Sequence, residues 1–408
     1  MPPMDASSPP TIDIEALGLD QGALLLVRRA LDEVAPGDVL RVRGRAPAWQ
    51  LHLAAWCRHQ GHELSVEERA DGRCEAWITR SAQADGRWRD ALSTGPALLG
   101  EGELPAAEAS LAWGLAARGA TVEAGGPRFD FTLTRRDELW AATAGALYRQ
   151  AAAAQWDPEQ AIAWADPTVP PDEIEAAVVQ LMTYLIENEN AALLVPARHL
   201  GRIHPHYREV MQLLALQCAD EARHVEVFTR RATLRGRGPA RSSAGGQASL
   251  KTLLEAHDFS QATFLLSVLG EGSFVNLLNF LHEHAPDPVT RQIARLTARD
   301  EARHVAFGMA HVEHRVATSP GYVATLRNAI ETRYDELAAT AGLNEHVFDA
   351  LVLLAAGSLA PAAIARGHEA VQRLQAEMAV GRKARLARLG FAPAEAERLA
   401  GLHTRNFM

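Results

Sequence analysis

The hexapeptide Asp220-Glu221-Ala222-Arg223-His224-Val225 recurs letter for letter as Asp300-Glu301-Ala302-Arg303-His304-Val305, 80 residues further along the chain. In each copy Glu and His stand three residues apart, nearly one helical turn, so on a helix both side chains leave the same face. A carboxylate beside an imidazole is half of a metal site, and two copies imply two halves that meet in space. A solvated helix face could use the same residue types, but the neighbours argue against it. The stripe through Glu221 and His224 reads Val210, Leu214, Cys218, Val225 and Phe228. The stripe through Glu301 and His304 reads Ala294, Thr297, Ala298, Val305 and Gly308. Charges on apolar or small-residue lines are costly unless something positive meets them.

Two more carboxylates fall on such lines. Residues 173–195 carry a helical period through Ile174, Val178, Leu181, Leu185, Glu189 and Ala192. Glu187 lies instead with Ala176, Gln180, Thr183 and Asn190, which reads as a solvated face, so Glu189 is the candidate. Phe264, Val268, Glu271, Val275 and Leu278 place one further glutamate on a buried line. The order is therefore Glu189, Glu221 with His224, Glu271, then Glu301 with His304. Four carboxylates would repel one another if buried alone, and two divalent cations would neutralise them.

In these residues the chain resembles the ferritin-like di-iron (or manganese/iron) carboxylate proteins. Their site takes one Glu from each of two helices and Glu-x-x-His from each of the other two. The resemblance covers residues 135–345. It implies a short loop near Gly201–His206, another at Ala285–Pro288, and a long crossover through the polar stretch Arg235–Gln247. It also implies that Asp220 orients His304 and Asp300 orients His224 through their free ring nitrogens, with Arg223 and Arg303 offsetting the aspartates. The ligand set expected for two iron ions (Fe/Fe, or Mn/Fe) is Glu189, Glu221, His224, Glu271, Glu301 and His304.

Other candidates are weaker. Tyr184 leaves the helix over 173–195 on a different face from Glu189. His282-Glu283-His284 reads as a solvated helix end, and His204-Pro205-His206 as a loop without a carboxylate at ligand spacing. Cys218 reads as a packed thiol. Pro196 marks a kink or an end of the first bundle helix.

The remaining sequence bounds the setting. With 408 residues there is room for two domains. A net charge of −9 and a pI near 6.0 argue against nucleic acid as a general partner. The basic stretches Arg230–Arg241 and Arg382–Arg388 read as a flexible loop and a solvated helix face. No apolar run reaches transmembrane length, the first residues read as a disordered leader, and three scattered cysteines point to a reduced cytoplasmic location.

All eight tryptophans precede residue 165, so the two ends differ in composition. Residues 11–80 read as a small α/β unit. It comprises a helix over 23–34, a strand over 39–43, a helix over 48–60, and strands near 63–68 and 73–79. Gly18-Leu19, Ala35-Pro-Gly-Asp-Val-Leu40, Ala55-Trp56 and Gly61-His-Glu-Leu64 resemble the TusA-like sulfur carriers. That family carries sulfur on a cysteine just after Gly-Leu, whereas Asp20 and Gln21 stand there here. The resemblance therefore implies the fold without the thiol, as a docking or lid module.

The expected architecture is mainly α. A ferritin-like four-helix bundle with extra helices occupies 135–345, preceded by the TusA-like domain (11–80) and a connecting region (81–134). Helices at 345–380 and a basic helical hairpin at 383–405, broken at Gly390–Pro393, follow it. Cutting the chain near residue 130 is expected to leave an intact bundle. The expected function is a dioxygen-dependent di-iron oxidase or monooxygenase acting on a small organic substrate. An electron-donor protein and a homodimer are compatible partners; a membrane is not expected. The alternatives are a ferritin-like metal-binding or storage protein and an RNA-modification-linked hydroxylase. A rubrerythrin-type peroxidase lacks the Cys-x-x-Cys it would need.

Overall fold

The computed structural model describes residues 8–69, 74–82, 88–100, 102–338 and 345–402. They form two compact units: Met1–Thr94 with Gly119–Pro127, and Gly95–Arg118 with Arg128–Met408. The segment between the α/β part and the bundle is thus shared between units and is not a separate connector. Residues 95–118 belong with the bundle, where the buried Arg118 pairs with Glu209. A cut near residue 130 would remove that pairing, so the boundary expected from sequence is misplaced.

The first unit holds β1 (Thr11–Asp13), α1 (Ala23–Asp32), β2 (Val39–Gly44), α2 (Trp49–Gln60), β3 (Glu63–Glu68) and β4 (Cys74–Thr79). A pair of two-residue strands, β5 (Leu92–Ser93) and β6 (Thr121–Val122), completes it. The sheet order is β1-β2-β4-β3, with β1 parallel to β2 and the other pairings antiparallel. Alternation along β2 sends Leu40 and Val42 inward. They meet Ala76 and Ile78 of β4, Val27 and Leu31 of α1, and Trp49 and Leu53 of α2. Gly61 stops α2 in the left-handed conformation (φ 75°) that glycine adopts without strain. β1 was not foreseen: three residues are too short to show a period.

The second unit is helical: α3 (Ala144–Ala153), α4 (Pro158–Ala161), α5 (Asp172–Leu200), α6 (Arg208–Thr233), α7 (Ala244–Glu255) and α8 (Phe259–Thr263). A π-helical stretch, Phe264–Glu271, runs into α9 (Gly272–His284). Then come α10 (Pro288–Thr318), α11 (Tyr322–Ala338), α12 (Glu345–Ala356), α13 (Pro361–Arg388) and α14 (Pro393–Ala400). The continuous run α8–π–α9, with α5, α6 and α10, makes the four-helix bundle. Pro196 does not end α5, which continues to Leu200. The crossover is not all loop, because Ser243 accepts from Gly246 N and starts α7 within it. Asp287 caps α10 by accepting from Thr290 N, with Pro288 at the first helical position.

Two expectations fail, one about length and one about exposure. Phe259–His284 is long and apolar enough to cross a membrane, yet 83% of that window is buried in the protein. It is the core helix of the bundle. Arg231, expected on a mobile basic stretch, is fully buried. Its guanidinium donates to both oxygens of Glu175 (2.7 and 2.8 Å), to Asp287 (2.7 Å) and to Thr290 (2.7 Å). That network ties α5, α6 and α10 together. Losing one acid from it would leave a buried charge unmatched, at roughly 3–5 kcal/mol.

The C-terminal helices are part of the same core. Leu351 and Leu354 of α12 and Val371, Leu374 and Met378 of α13 join Val178, Leu181 and Leu185 of α5 and Leu277 of α9. Burying each such leucine contributes about 1.5–3 kcal/mol. α13 runs unbroken through residue 380, and the turn comes at Leu389–Ala392 before α14, where the hairpin break at Gly390–Pro393 is expected.

Candidate metal centre

Each bundle helix brings its acid or its acid–imidazole pair to one level. Glu189, Glu221, His224, Glu271, Glu301 and His304 are all at most 4% exposed. Their donor atoms form two groups, each with all its atoms within 4.8 Å of one another: Glu189, Glu221, His224 and Glu301, and Glu221, Glu271, Glu301 and His304. Glu221 and Glu301 belong to both. Gly308 lets α10 come this near the π stretch, since a Cβ there would lie 2.6 Å from Ser267 Cβ. Glu271 is the last residue of that stretch, and π turns of this kind recur where a helix is distorted for function.

The histidines present Nδ1 to the acids. His224 Nδ1 lies 3.2 Å from Glu221, 3.4 Å from Glu301 and 3.7 Å from Glu189. His304 Nδ1 lies 3.1 Å from Glu221 and 3.3 Å from Glu301. Each Nε2 turns to the aspartate of the opposite repeat: His224 to Asp300 at 3.2 Å, His304 to Asp220 at 3.4 Å. Arg223 donates to Asp220 and, at 2.9 Å, to Asp300. Arg303 donates to Asp300 and reaches Asp220 at 3.5 Å. The repeated hexapeptides are thus cross-linked, each aspartate serving its partner's histidine.

Electrostatics fits a cluster that lacks positive charge. Burial, then the charges of Glu221 and Glu301, hold Glu189 well above the usual carboxylate range. Burial, then Glu301, does the same to Glu271. Burial pushes Glu221 up too, but His304 and His224 outweigh it and hold it below the ordinary value. Both histidines rise well above an ordinary imidazole: burial opposes this, but the hydrogen bond to Asp300 for His224, and Glu221 with Glu301 for His304, prevail. Two divalent cations would supply the positive charge that buried acids at this spacing call for. The fit to metal also rests on unsatisfied atoms: Oε1 of Glu189, Glu221 and Glu301 and Oε2 of Glu271 accept no hydrogen bond despite full burial.

Three neighbours were missed in the sequence. Gln217 donates to Glu271 Oε1 at 3.1 Å; it lies one turn before Glu221 on the same stripe and was legible there. Trp156 Nε1 donates to Asp300 at 2.8 Å, and Gln155 Nε2 to Asp220 at 2.8 Å. They sit between α3 and α4, where no periodicity points to them. Arg223 also lies over the Trp156 ring, 4.7 Å from its centroid.

The weaker candidates lie elsewhere. Tyr184 is buried against Phe274. His204 and His206 are buried rather than in an open loop: His206 accepts from Ala106 N, and His204 contacts Ser110 O. His282 contacts Arg291 O, and His284 packs on Phe280. Cys218 is half-buried, and burial, then Glu221, pushes its thiol to about 11. Glu187, placed on the solvated face, is half-buried and bonded to Ser242 and Gln247. A cavity of about 20 Å³ abuts Glu189, Glu271 and Glu301, walled by Ala192, Leu253, Leu266 and Phe274.

The first unit has a relative by family. Residues 22–80 match the family model for Sulfurtransferase TusA. In this TusA-like unit Leu19–Gln21 form a short 3-10 turn without a thiol. Cys57 and Cys74 are buried in the core, and burial pushes Cys57 to about 11.

No curated protein matches the chain. Among solved structures, it is similar to a mutant R2-like ligand-binding oxidase with an Fe/Fe cofactor, at 18% identity and TM-score 0.48, over 61% of this chain and 94% of that one. A mutant with an Mn/Fe cofactor gives 18% and 0.47 over the same shares. A protein with aldehyde deformylating oxidase activity from Synechococcus gives 17% and 0.42, over 56% and 96%.

Proposed function

We propose that the bundle is a di-metal oxidase or monooxygenase that uses dioxygen on a small organic substrate. The observation that carries this reading is the pair of overlapping donor groups, with carboxylate oxygens left without hydrogen bonds. Oxygen and imidazole donors without thiolate suit iron, or manganese with iron. Glu189, Glu221, His224 and Glu301 would hold one ion, and Glu221, Glu271, Glu301 and His304 the other. When bound, the pair supplies two-electron oxidising capacity. The chain supplies the rest. Asp300 and Asp220 accept from the histidine Nε2–H groups, which fixes the tautomer and leaves Nδ1 for the metal. Arg223 and Arg303 hold those aspartates as anions. The walls Ala192, Leu253, Leu266 and Phe274 keep water from the acids they abut and favour an apolar group beside them. The TusA-like unit is proposed as a docking or lid module, and the setting as cytoplasmic.

Metal analysis and oxygen uptake test the reading. The purified protein should hold close to two transition-metal ions per chain and consume dioxygen after reduction. A fully folded bundle that takes up no metal would overturn it.

A further inference from the structure

The two donor groups share Glu221 and Glu301, so they differ in one histidine and one glutamate each: His224 with Glu189, and His304 with Glu271. The histidines are held alike. Each Nε2 faces the aspartate of the opposite repeat, His224 at 3.2 Å and His304 at 3.4 Å. Arg223 and Arg303 each donate to both aspartates. Each aspartate also accepts from one neutral side chain, Asp300 from Trp156 and Asp220 from Gln155.

The glutamates are not held alike. Gln217 is 3% exposed and donates from Nε2 to Glu271 Oε1 at 3.1 Å. Ser267 of the π stretch is a second hydrogen-bonding neighbour of that carboxylate. Glu271 Oε2 accepts no hydrogen bond, so one oxygen is tied within the protein and the other is left for an ion. Glu189 Oε1 accepts nothing, and Oε2 lies 3.7 Å from His224 Nδ1, beyond hydrogen-bond reach. Nδ1 is also the atom His224 would give to a metal, so that contact cannot fix Glu189 once an ion is bound. The difference is written in the chain. Gln217 stands four residues before Glu221, and the same place before Glu301 holds Thr297. Thr297 is fully buried, and its Oγ1 makes no hydrogen bond. The repeat thus breaks one turn upstream of the hexapeptide: an amide that crosses to an opposing glutamate gives way to a short hydroxyl that meets no partner. An acid already fixed in place loses less freedom when an ion arrives than one the ion itself must order.

We propose that Gln217 is a positioning residue that ranks the two metal positions. The group of Glu221, Glu271, Glu301 and His304 fills first and holds its ion more tightly. The group of Glu189, Glu221, His224 and Glu301 fills second and gives up its ion more readily. The ranking rests on the di-metal reading above and goes beyond it, since that reading treats the two positions as equals.

Stepwise titration of the full-length protein, stripped of metal by a chelator, with Mn(II) tests this. Electron paramagnetic resonance follows it, because the spectrum separates an isolated ion from a neighbouring pair. The wild-type protein should hold mostly isolated ions at one equivalent and form pairs only with the second. Gln217→Met keeps the length of the side chain and loses the donor. It should weaken the first step about 10–100-fold and leave the second nearly unchanged, so that pairs appear already at one equivalent. Thr297→Val removes a hydroxyl that has no partner and should keep the wild-type order of filling. Circular dichroism checks that both variants stay helical. Pairs at one equivalent in the wild-type protein, or an unchanged first step in folded Gln217→Met, would overturn the ranking and leave the di-metal reading standing. No uptake of Mn(II) by the folded wild-type protein would overturn that reading, and the ranking with it.

Discussion

Glu75 in the α/β unit and Glu189 in the bundle are both buried glutamates, and they are treated in opposite ways. Glu75 meets Arg41, Arg43 and Arg69. The hydrogen bond from Arg41 leads in holding its carboxyl down, at about 2. Glu189 meets Glu221 and Glu301 and is held well above the usual range. The first acid is complete within the chain; under the proposed function the second is left for a metal ion to complete. An acid buried with its counter-charge is structural, whereas one buried among like charges is a candidate for binding.

The sharpest way to break that contrast is to remove a shared ligand. Glu221→Ala or Glu301→Ala should lose most bound metal and all dioxygen consumption, with helicity by circular dichroism kept. If both variants keep full metal and activity, the acids are not ligands. Asp300→Ala removes an orienting group and not a metal bond, so metal affinity should fall about 10–100-fold. Trp156→Phe, which removes one of several donors to Asp300, should fall short of that. A metal titration of the three variant classes orders them, and equal losses for Glu301→Ala and Asp300→Ala would place Asp300 on the metal.

The Glu75 half of the comparison is tested with acid. Its folded pKa is lowered from the ordinary 4.5 to about 2. The stability it contributes is therefore fully present above about 4.5 and is lost as pH falls toward about 2. Glu75→Gln should flatten the fall in Tm across that window, and an unchanged profile would show the arginine cluster to be idle. The smallest effect is expected from Cys57→Ser and Cys74→Ser, which should leave turnover unchanged. Both thiols are core residues, and Asp20 and Gln21 occupy the segment where the related family bears its sulfur. Lost turnover with folding intact would restore a sulfur-transfer role.

Much of the bundle was legible because its signals are local. The 3.6 period placed Glu189 and Glu271 on buried lines, and the duplicated Glu-x-x-His gave the other pairs. Strand β2 and helix α2 showed themselves through alternation and the Gly61 stop. The failures are equally specific. Arg231 and Arg382 read as solvated because arginine usually is, yet tertiary packing buried them, and for Arg231 it supplied Glu175 and Asp287. Residues 95–118 carry no period that assigns them to a unit. Trp156 lies in a loop, where spacing says nothing of what it will touch.

The sequence by itself determined which helices carry acids, in what order, and which acid shares a face with which histidine, because those relations repeat along one helix axis. Only the tertiary structure decided that Glu221 and Glu301 fall in both donor groups, that His224 turns Nε2 to Asp300 and His304 to Asp220, and that the π stretch comes close to α10 at Gly308. Those relations cross between helices. They depend on how side chains interdigitate when apolar faces close on one another, and a linear pattern holds no record of that distance.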